Sequence, residues 1–504
     1  MNFDRSSGVI LHPTSLPGRY GIGDIGPQAH RWLEFLSEAG CGLWQVLPLG
    51  PTGYGDSPYQ CFSAFAGNPY LVSPIILRDE GLLSDTDFDG APPFPLDTVD
   101  FGEVIPWKIS LLNRAYENFL VSQNNNLLKD FIQFQTLHSS WLDDYALFMA
   151  LKEANGGDSW SNWTRSLRRR EADLITDATH NLADSIKKQK FYQFLFFRQW
   201  KELRTHAQAL NIKIIGDIPI FVAQDSADVW ANPKLFYLDD EGFPTCVAGV
   251  PPDYFSPTGQ LWGNPLYRWD AHRESGYSWW IERFRAVFEL VDIIRLDHFR
   301  GFAAYWEVPA GMRTAEHGRW VCGPGKHLFD TLLRSLQELP IIAEDLGIIT
   351  PDVEELRDTF NLPGMRVLQF GLSDSPKNTF LPHNYVKNCV AYTGTHDNDT
   401  NMGWFKSASE NIRTFTLRYL DSGGTDIAWD MLRAIWSSVA VYSLATMQDL
   451  LSLNSNGRMN FPGKPSGNWI WRMREEALTD ELCKRLQDLN YLYDRMTKLE
   501  DCAS

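Results

Sequence analysis

Cysteine and long apolar runs are both scarce in this sequence, and each scarcity argues against a class of protein. Seven of the 504 residues are cysteine, an odd number with no CxxC pair, so a disulfide framework is not indicated. No apolar run reaches the ~18 residues that a membrane-spanning helix needs, and MNFDRSSGVI lacks the regions of a secretory signal. We expect a reduced, cytoplasmic protein with no membrane partner; a plastid protein without its transit peptide would read similarly.

Positive charge is in deficit as well. The chain has 46 Lys and Arg against 63 Asp and Glu, a net charge of −17, which argues against nucleic acid as a partner. Aromatic residues are abundant instead, with 19 Trp, 18 Tyr and 30 Phe. Because Trp and Tyr present apolar faces with a polar edge, they suit sugar rings. The balance favours a neutral ligand and, mildly, a carbohydrate.

Eight short apolar runs end in polar or Gly-rich turns, as buried parallel strands do. They cover residues 8–18, 41–50, 212–222, 291–299, 340–347, 365–372, 389–397 and 440–451. The last run fits a helix equally well. Helical stretches lie between the runs, such as the stripe at 196, 200, 203, 207 and 210. The alternation predicts an α/β fold, a (β/α)8 TIM barrel.

The spacing of the runs is uneven, so the barrel must carry insertions. We expect one catalytic barrel over residues 1–504, interrupted by a largely helical subdomain at 51–205, where WLDDYALFMALKEANGG predicts a helix that stops at its glycines. A second insertion, at 223–290, includes a Pro-stiffened aromatic loop from Val250 to Pro265. That loop would serve as a lid that excludes water from the active site.

Three predicted strands end in acids. Asp297 closes the fourth run, Glu344 the fifth and Asp397 the seventh. Because catalytic residues of such barrels lie at the C-terminal ends of the strands, these acids can meet in one mouth. Arg295 shares a strand face with Asp297 and should lower its pKa, whereas apolar neighbours should raise the pKa of Glu344.

An ionised carboxylate beside a protonated one is typical of glycoside chemistry, with retention if the two lie roughly 5–5.5 Å apart. Each residue alone also has a structural interpretation. A lone Asp at a strand end can be a helix cap or salt-bridge partner, and His298 or His396 a structural histidine. HDND resembles part of a metal site, but no second cluster at ligand spacing accompanies it.

Several motifs together resemble glycoside hydrolase family 77, the 4-α-glucanotransferases or amylomaltases of the α-amylase clan, also called disproportionating enzymes. The matching stretches are RLDHFRG, AEDLG, THDNDT, GDIPIFV, SPYQCFSAFAGNPYL, PPDYFSPTGQLWGNPLY and GRMNFPG. The likeness runs nearly end to end and is least clear in the helical insertion. It implies no metal and no organic cofactor.

The resemblance also implies residue roles. Asp297 would be the nucleophile, Glu344 the general acid/base and Asp397 the acid that helps to distort the sugar. Substrate binding would involve Tyr54, Ser57, Tyr59, Asp217, Gln260, Trp262, Arg295, His396 and Asn460. Of these, Tyr59, Trp262 and Asp217 also fit purely structural roles.

The implied substrates are maltooligosaccharides and other α-1,4-glucans as donors, with a glucan or glucose as acceptor. Intramolecular transfer would give cyclic glucans. An α-amylase-like hydrolase with the same acids is the alternative activity, and a catalytically silent glucan-binding protein is the alternative class. Maltose, starch and glycogen metabolism all fit, and the sequence does not indicate an oligomeric state.

Overall fold

The computed structural model describes residues 3–252, 256–373, 375–464 and 466–497, and twelve strands occur in these ranges. The strands are β1 (Ser6–Ile10), β2 (Leu43–Val46), β3 (Lys213–Pro219), β4 (Cys246–Val250), β5 (Gln260–Pro265), β6 (Ile293–Asp297), β7 (Ala304–Pro309), β8 (Arg319–Cys322), β9 (Ile341–Ala343), β10 (Gly364–Val367), β11 (Cys389–Tyr392) and β12 (Tyr442–Thr446).

Eight of the strands close into a parallel barrel. In order around it they are β1, β2, β3, β6, β9, β10, β11 and β12, and β12 pairs back with β1. Each overlaps one of the eight apolar runs, although β1 and β10 begin one or two residues before theirs, so the predicted barrel is confirmed. The ambiguous last run contains both elements: β12 leads directly into a helix at Met447–Leu450.

Twenty α-helices occur in the described ranges. They are α1 (Pro27–Glu38), α2 (Pro74–Asp79), α3 (Phe101–Val121), α4 (Asn125–Leu137), α5 (Ser139–Ala154), α6 (Arg165–Arg168), α7 (Ala172–Asn181), α8 (Ala183–Ala209), α9 (Ala227–Ala231), α10 (Trp269–Glu274), α11 (Ser278–Leu290), α12 (Arg300–Ala303), α13 (Gly325–Leu336), α14 (Pro351–Thr359), α15 (Leu368–Gly371), α16 (Asn401–Ser407), α17 (Glu410–Leu420), α18 (Ile427–Trp436), α19 (Met447–Leu450) and α20 (Asp480–Leu492). None combines the length and apolarity needed to cross a bilayer.

The long connection between β2 and β3 contains helices α2 to α8. α5 ends just before Gly156 and Gly157, both of which have positive φ, a conformation that glycine adopts at low cost. α8 carries the predicted apolar stripe, with Trp200 and Leu203 buried, and leads back to the barrel. Because α8 runs to Ala209, it crosses the proposed boundary at residue 205. The division into subdomains remains a proposal.

A second, four-stranded antiparallel sheet lies outside the barrel, in the order β5-β4-β7-β8. The predicted loop from Val250 to Pro265 is in part a strand, since β5 occupies Gln260–Pro265 and pairs with β4. The strand is short, partly exposed and contains Gly263, so it gives no apolar run to detect. Residues 253–255 of the predicted lid lie outside the described ranges.

Candidate active site

The three predicted acids reach the C-terminal face of the barrel. β6 ends on Asp297, Glu344 directly follows β9, and Asp397 lies on the loop after β11. β6 and β9 are adjacent strands, paired in register at Leu296 and Ala343. The polar residues at the end of the apolar run VDIIRLDHF therefore belong to the face where barrel enzymes carry their catalytic groups.

Arg295 holds Asp297 and Asp217 together. Its Nη1 donates to Asp297 Oδ1 at 3.0 Å and to Asp217 Oδ2 at 2.5 Å, and the Tyr59 hydroxyl donates to that same Asp217 oxygen at 2.6 Å. Asp217 lies opposite Arg295 in the β3–β6 register, and its side chain is fully buried. Asp217 therefore links Tyr59 to Arg295, which also binds Asp297, and the contact of Asp217 with sugar hydroxyls remains a prediction.

Two backbone amides hold the Glu344 carboxyl. The amide of His298 donates to Oε2 at 2.7 Å, and the amide of Leu346 donates to Oε1 at 2.9 Å. Burial, with the nearby Asp297 charge second, raises the pKa of Glu344 to about 8, although Arg295 and the two amides oppose the shift. Glu344 is consequently protonated at neutral pH and can donate a proton, as predicted.

The pKa of Asp297 is raised, whereas the sequence predicted that it would be lowered. Arg295 does lower the pKa, but burial outweighs it, and Asp217 and Asp397 add further upward shifts, so the pKa of Asp297 is raised. The expectation of a low pKa was wrong because it rested on Arg295 alone, without burial and without the other acids. Since Asp297 directly pairs with Arg295 and its side chain is 29% exposed, we take Asp297 to ionise before Glu344.

Asp397 is held by the loop after β12. Asn460 Nδ2 donates to Asp397 Oδ1 at 2.6 Å, and Arg458 Nη2 donates to the Asp397 backbone carbonyl at 2.7 Å. On its other side, His396 Nε2 lies 3.4 Å from Asp397 Oδ2. The Asp397 side chain is 47% exposed, so it remains open to the mouth of the barrel.

Aromatic rings line this side of the mouth. Tyr59 stacks on His396 with ring centres 5.2 Å apart, and Trp469 lies 5.8 Å from Tyr59 and 6.0 Å from His396. His12, two residues after β1, is buried next to this group. Burial and, second, the charge of His396 lower the pKa of His12 to about 3, so His12 is neutral. An aromatic wall suits the apolar face of a sugar ring.

The remaining predicted binding residues lie further out. On β5, the Trp262 indole N–H donates to Gln260 Oε1 at 3.2 Å, and the Trp262 ring meets His298 edge-on at 4.8 Å. Ser57 Oγ accepts from the Tyr59 amide at 3.2 Å, which fixes the turn that carries Tyr59. Tyr54 is 79% exposed, and its contact with ligand remains a prediction.

Several residues of the site were missed by sequence reasoning. Gln45 on β2 donates to Asp217 at 3.4 Å and accepts from the Tyr392 hydroxyl at 3.0 Å. Asp345 accepts from Arg357 at 2.6 Å and from the Met365 amide at 2.7 Å, which ties β9 to β10 beside Glu344. The available signal was a polar residue inside a buried strand, as in LWQV, since such a residue needs a partner.

Metal ligation was the alternative for HDND. Within the described ranges, no three or more His, Cys, Asp or Glu side chains are grouped so that they could hold a metal ion. That the enzyme needs no metal remains a prediction.

Comparison with known proteins decides the family. A family model described as 4-alpha-glucanotransferase, glycoside hydrolase family 77, matches residues 11–479. The chain belongs to this family. A curated 4-alpha-glucanotransferase of Thermus thermophilus is 50% identical, covering 98% of this chain and 100% of the relative. Another from Synechocystis sp. is 48% identical, covering 97% and 98%.

The 4-alpha-glucanotransferase likeness extends to plants and to solved structures. The chloroplastic/amyloplastic 4-alpha-glucanotransferase of Solanum tuberosum is 43% identical over 98% of this chain and 87% of its own length. The amylomaltase of Streptococcus agalactiae, solved in complex with acarbose, is 39% identical with a TM-score of 0.95, covering 98% of this chain and all of that one. The recognition of the family from its motifs is thus confirmed.

Proposed function

We propose that this chain transfers segments of α-1,4-glucans to the 4-hydroxyl of an acceptor glucan or glucose by a retaining double displacement. Membership of the 4-alpha-glucanotransferase family makes it a glycosyltransferase acting on α-1,4-glucans. The observation that carries the proposed mechanism is the pairing of Arg295-bound Asp297 with a Glu344 of pKa about 8. One acid is thereby assigned as nucleophile and the other as proton donor.

The first step forms a covalent glycosyl-enzyme. A carboxylate oxygen of Asp297 bonds to the anomeric carbon of the donor while the bond from that carbon to the glycosidic oxygen breaks. Glu344 gives its proton to the departing oxygen, so the leaving glucan departs with a free 4-hydroxyl. Arg295 donates to Asp297 Oδ1 and so orients the nucleophile.

The second step reverses the first with a new partner. The 4-hydroxyl of an acceptor attacks the anomeric carbon, Glu344 takes its proton, and the ester bond to Asp297 breaks. Two inversions give net retention. Because one glycosidic bond replaces another, no activated donor is needed. In this proposal Asp397 binds hydroxyls of the distorted sugar, and the hydrogen bond from Asn460 supports that role by orienting the carboxylate.

Transfer requires that the acceptor outcompete water. The lid strand β5, with Trp262 against His298, supports that preference because it covers the residue that follows the nucleophile. The comparisons do not favour the hydrolase alternative. A silent binding protein would not need an acid and a nucleophile side by side.

The substrates follow from the same site. We propose maltooligosaccharides and other α-1,4-glucans as donors and glucose as an acceptor, with cyclic glucans as products of intramolecular transfer. The acarbose complex of the Streptococcus agalactiae relative supports an oligosaccharide ligand. We also propose a cytoplasmic protein, or a plastid one as in the potato relative.

Incubation with maltotriose tests the function. Disproportionation gives glucose plus a ladder of longer maltooligosaccharides while the total of reducing ends stays constant. The amylase-like alternative gives shorter products while reducing ends rise. Following both quantities over time separates the two activities, and no exchange at all would favour the silent binding protein.

A further inference from the structure

The two segments that carry the proposed nucleophile and acid are bonded to each other along their length. The Glu344 amide donates to the Leu296 carbonyl at 3.0 Å, and the Phe299 amide donates to the Glu344 carbonyl at 3.1 Å. The His298 amide adds a bond to Glu344 Oε2 at 2.7 Å. The position of Glu344 is therefore set largely by the chain that follows Asp297.

Arg300 extends this connection to the far side of Glu344. Arg300 is buried, and its Nη1 donates to the Ile348 carbonyl, while Nε donates to the Ala304 carbonyl at 3.5 Å. Gly347, with a φ of +84°, lets the chain turn here, and the Ile348 side chain is exposed, so the bond from Arg300 ties an exposed turn to a buried side chain. The anchored turn includes Leu346, whose amide is one of the two donors to Glu344.

The guanidinium of Arg300 also touches the small sheet. It lies over the ring of Trp320 on β8, 4.0 Å from the ring centre. β8 belongs to the same sheet as β5, which carries Gln260 and Trp262 of the lid. One buried side chain thus contacts the turn after the acid and the sheet that bears the lid.

We propose that Arg300 is a positioning residue for general acid catalysis: it fixes the turn at residues 346–348, and thereby the orientation of the Glu344 carboxyl. A planar guanidinium can donate to a carbonyl and stack on an indole together, which an ammonium cannot match. The proposal rests on the proposed role of Glu344, and the test separates the two.

The test uses a donor that needs no acid. With α-maltotriosyl fluoride, Asp297 bonds to the anomeric carbon and fluoride leaves with the bonding electrons, so no proton is required. With maltotriose the same step needs a proton from Glu344. A displaced Glu344 therefore slows transfer from maltotriose but spares the first turnover of the fluoride, whereas general damage to the site slows both.

We expect Arg300→Met to lower kcat for maltotriose transfer about 10–100-fold, part of the 10²–10⁴-fold that general acid catalysis contributes. The first-turnover release of fluoride should change less than about threefold. Arg204→Met is the matched control. Arg204 likewise donates to backbone carbonyls, those of Phe288, Glu289 and Val291, and it pairs with Asp292 at the opposite end of β6 from Asp297, so both rates should stay near wild type. Arg300→Lys keeps the charge and serves if the Met variant does not fold.

Equal losses with both donors, or no loss with maltotriose, would overturn the role of Arg300. Glu344→Gln tests the underlying assignment. If Glu344→Gln loses maltotriose transfer but keeps fluoride release while Arg300→Met behaves like wild type, only the inference about Arg300 fails. If Glu344→Gln keeps maltotriose transfer, the assignment of the acid itself is wrong.

Discussion

At the scale of single residues, the charge on Asp297 helps to hold the proton on Glu344. Burial and that charge raise the pKa of Glu344 to about 8, so transfer should fall as the pH rises through about 8 and the acid loses its proton.

Asp297→Asn removes the charge and should lower the pKa of Glu344 while transfer drops by more than about 10³-fold. Infrared difference titration of the carboxyl checks the pKa, and an unchanged value would contradict the coupling.

Glu344 should also lower the free energy of unfolding at neutral pH. The folded-state pKa of Glu344 lies above its ordinary value of 4.5, so the folded protein binds more protons than the unfolded chain between about pH 4.5 and 8. Its contribution to the free energy of unfolding is therefore most favourable at low pH and falls as pH rises through this window. We expect Glu344→Gln to be more stable than wild type, by a margin that grows from pH 5 to pH 8. Chemical denaturation at both pH values measures the margin; a constant margin would refute the shift.

At the same scale, the sequence located the main acids of the site but not the partners of the residues that support them. Asp297 and Glu344 could be placed because each follows an apolar strand, and Arg295 because residues two apart share a strand face. The supports Gln45 and Asp345 could not be assigned partners, since their contacts come from neighbouring strands whose register the sequence does not state. The expected low pKa of Asp297 was wrong chiefly because burial outweighs Arg295, with Asp217 and Asp397 adding to the rise.

At the scale of elements, the barrel strands were predictable and the small sheet was not. Parallel strands buried on both faces give continuous apolar runs, as in β11, whereas β5 and β8 are partly exposed and give none. That sheet nevertheless carries the proposed lid, so the part of the site that we propose to favour acceptor over water was the part least visible in the sequence.

The lid gives an element-scale prediction. Trp262→Ala on β5 opens the space beside His298, and hydrolysis should rise about tenfold relative to transfer, equivalent to ~1.4 kcal/mol between the competing barriers. The ratio of reducing ends formed to glucosyl units exchanged measures this. Phe243→Ala, which removes an exposed aromatic outside β5, should leave the ratio unchanged. An unchanged ratio for Trp262→Ala would mean that β5 does not exclude water.

At the scale of the whole molecule, the protein has a net charge of −17, whereas the proposed substrate is uncharged. Long-range steering should be negligible, so kcat/KM for maltotriose should change less than about twofold between 0.05 and 0.5 M salt, although the Debye length shortens greatly. Steady-state rates across this range provide the check. A steep fall with added salt would mean that long-range charge assists substrate capture, which would contradict a neutral substrate.

The covalent glycosyl-enzyme is the central claim, and trapping it is the most direct test. Glu344→Gln should react with α-maltotriosyl fluoride at Asp297 but turn over slowly, because no base activates the acceptor. Intact-protein mass spectrometry should show one added maltotriosyl group, and peptide mapping should place it on Asp297. An unmodified protein that still releases fluoride, or a label on Asp397, would contradict the account.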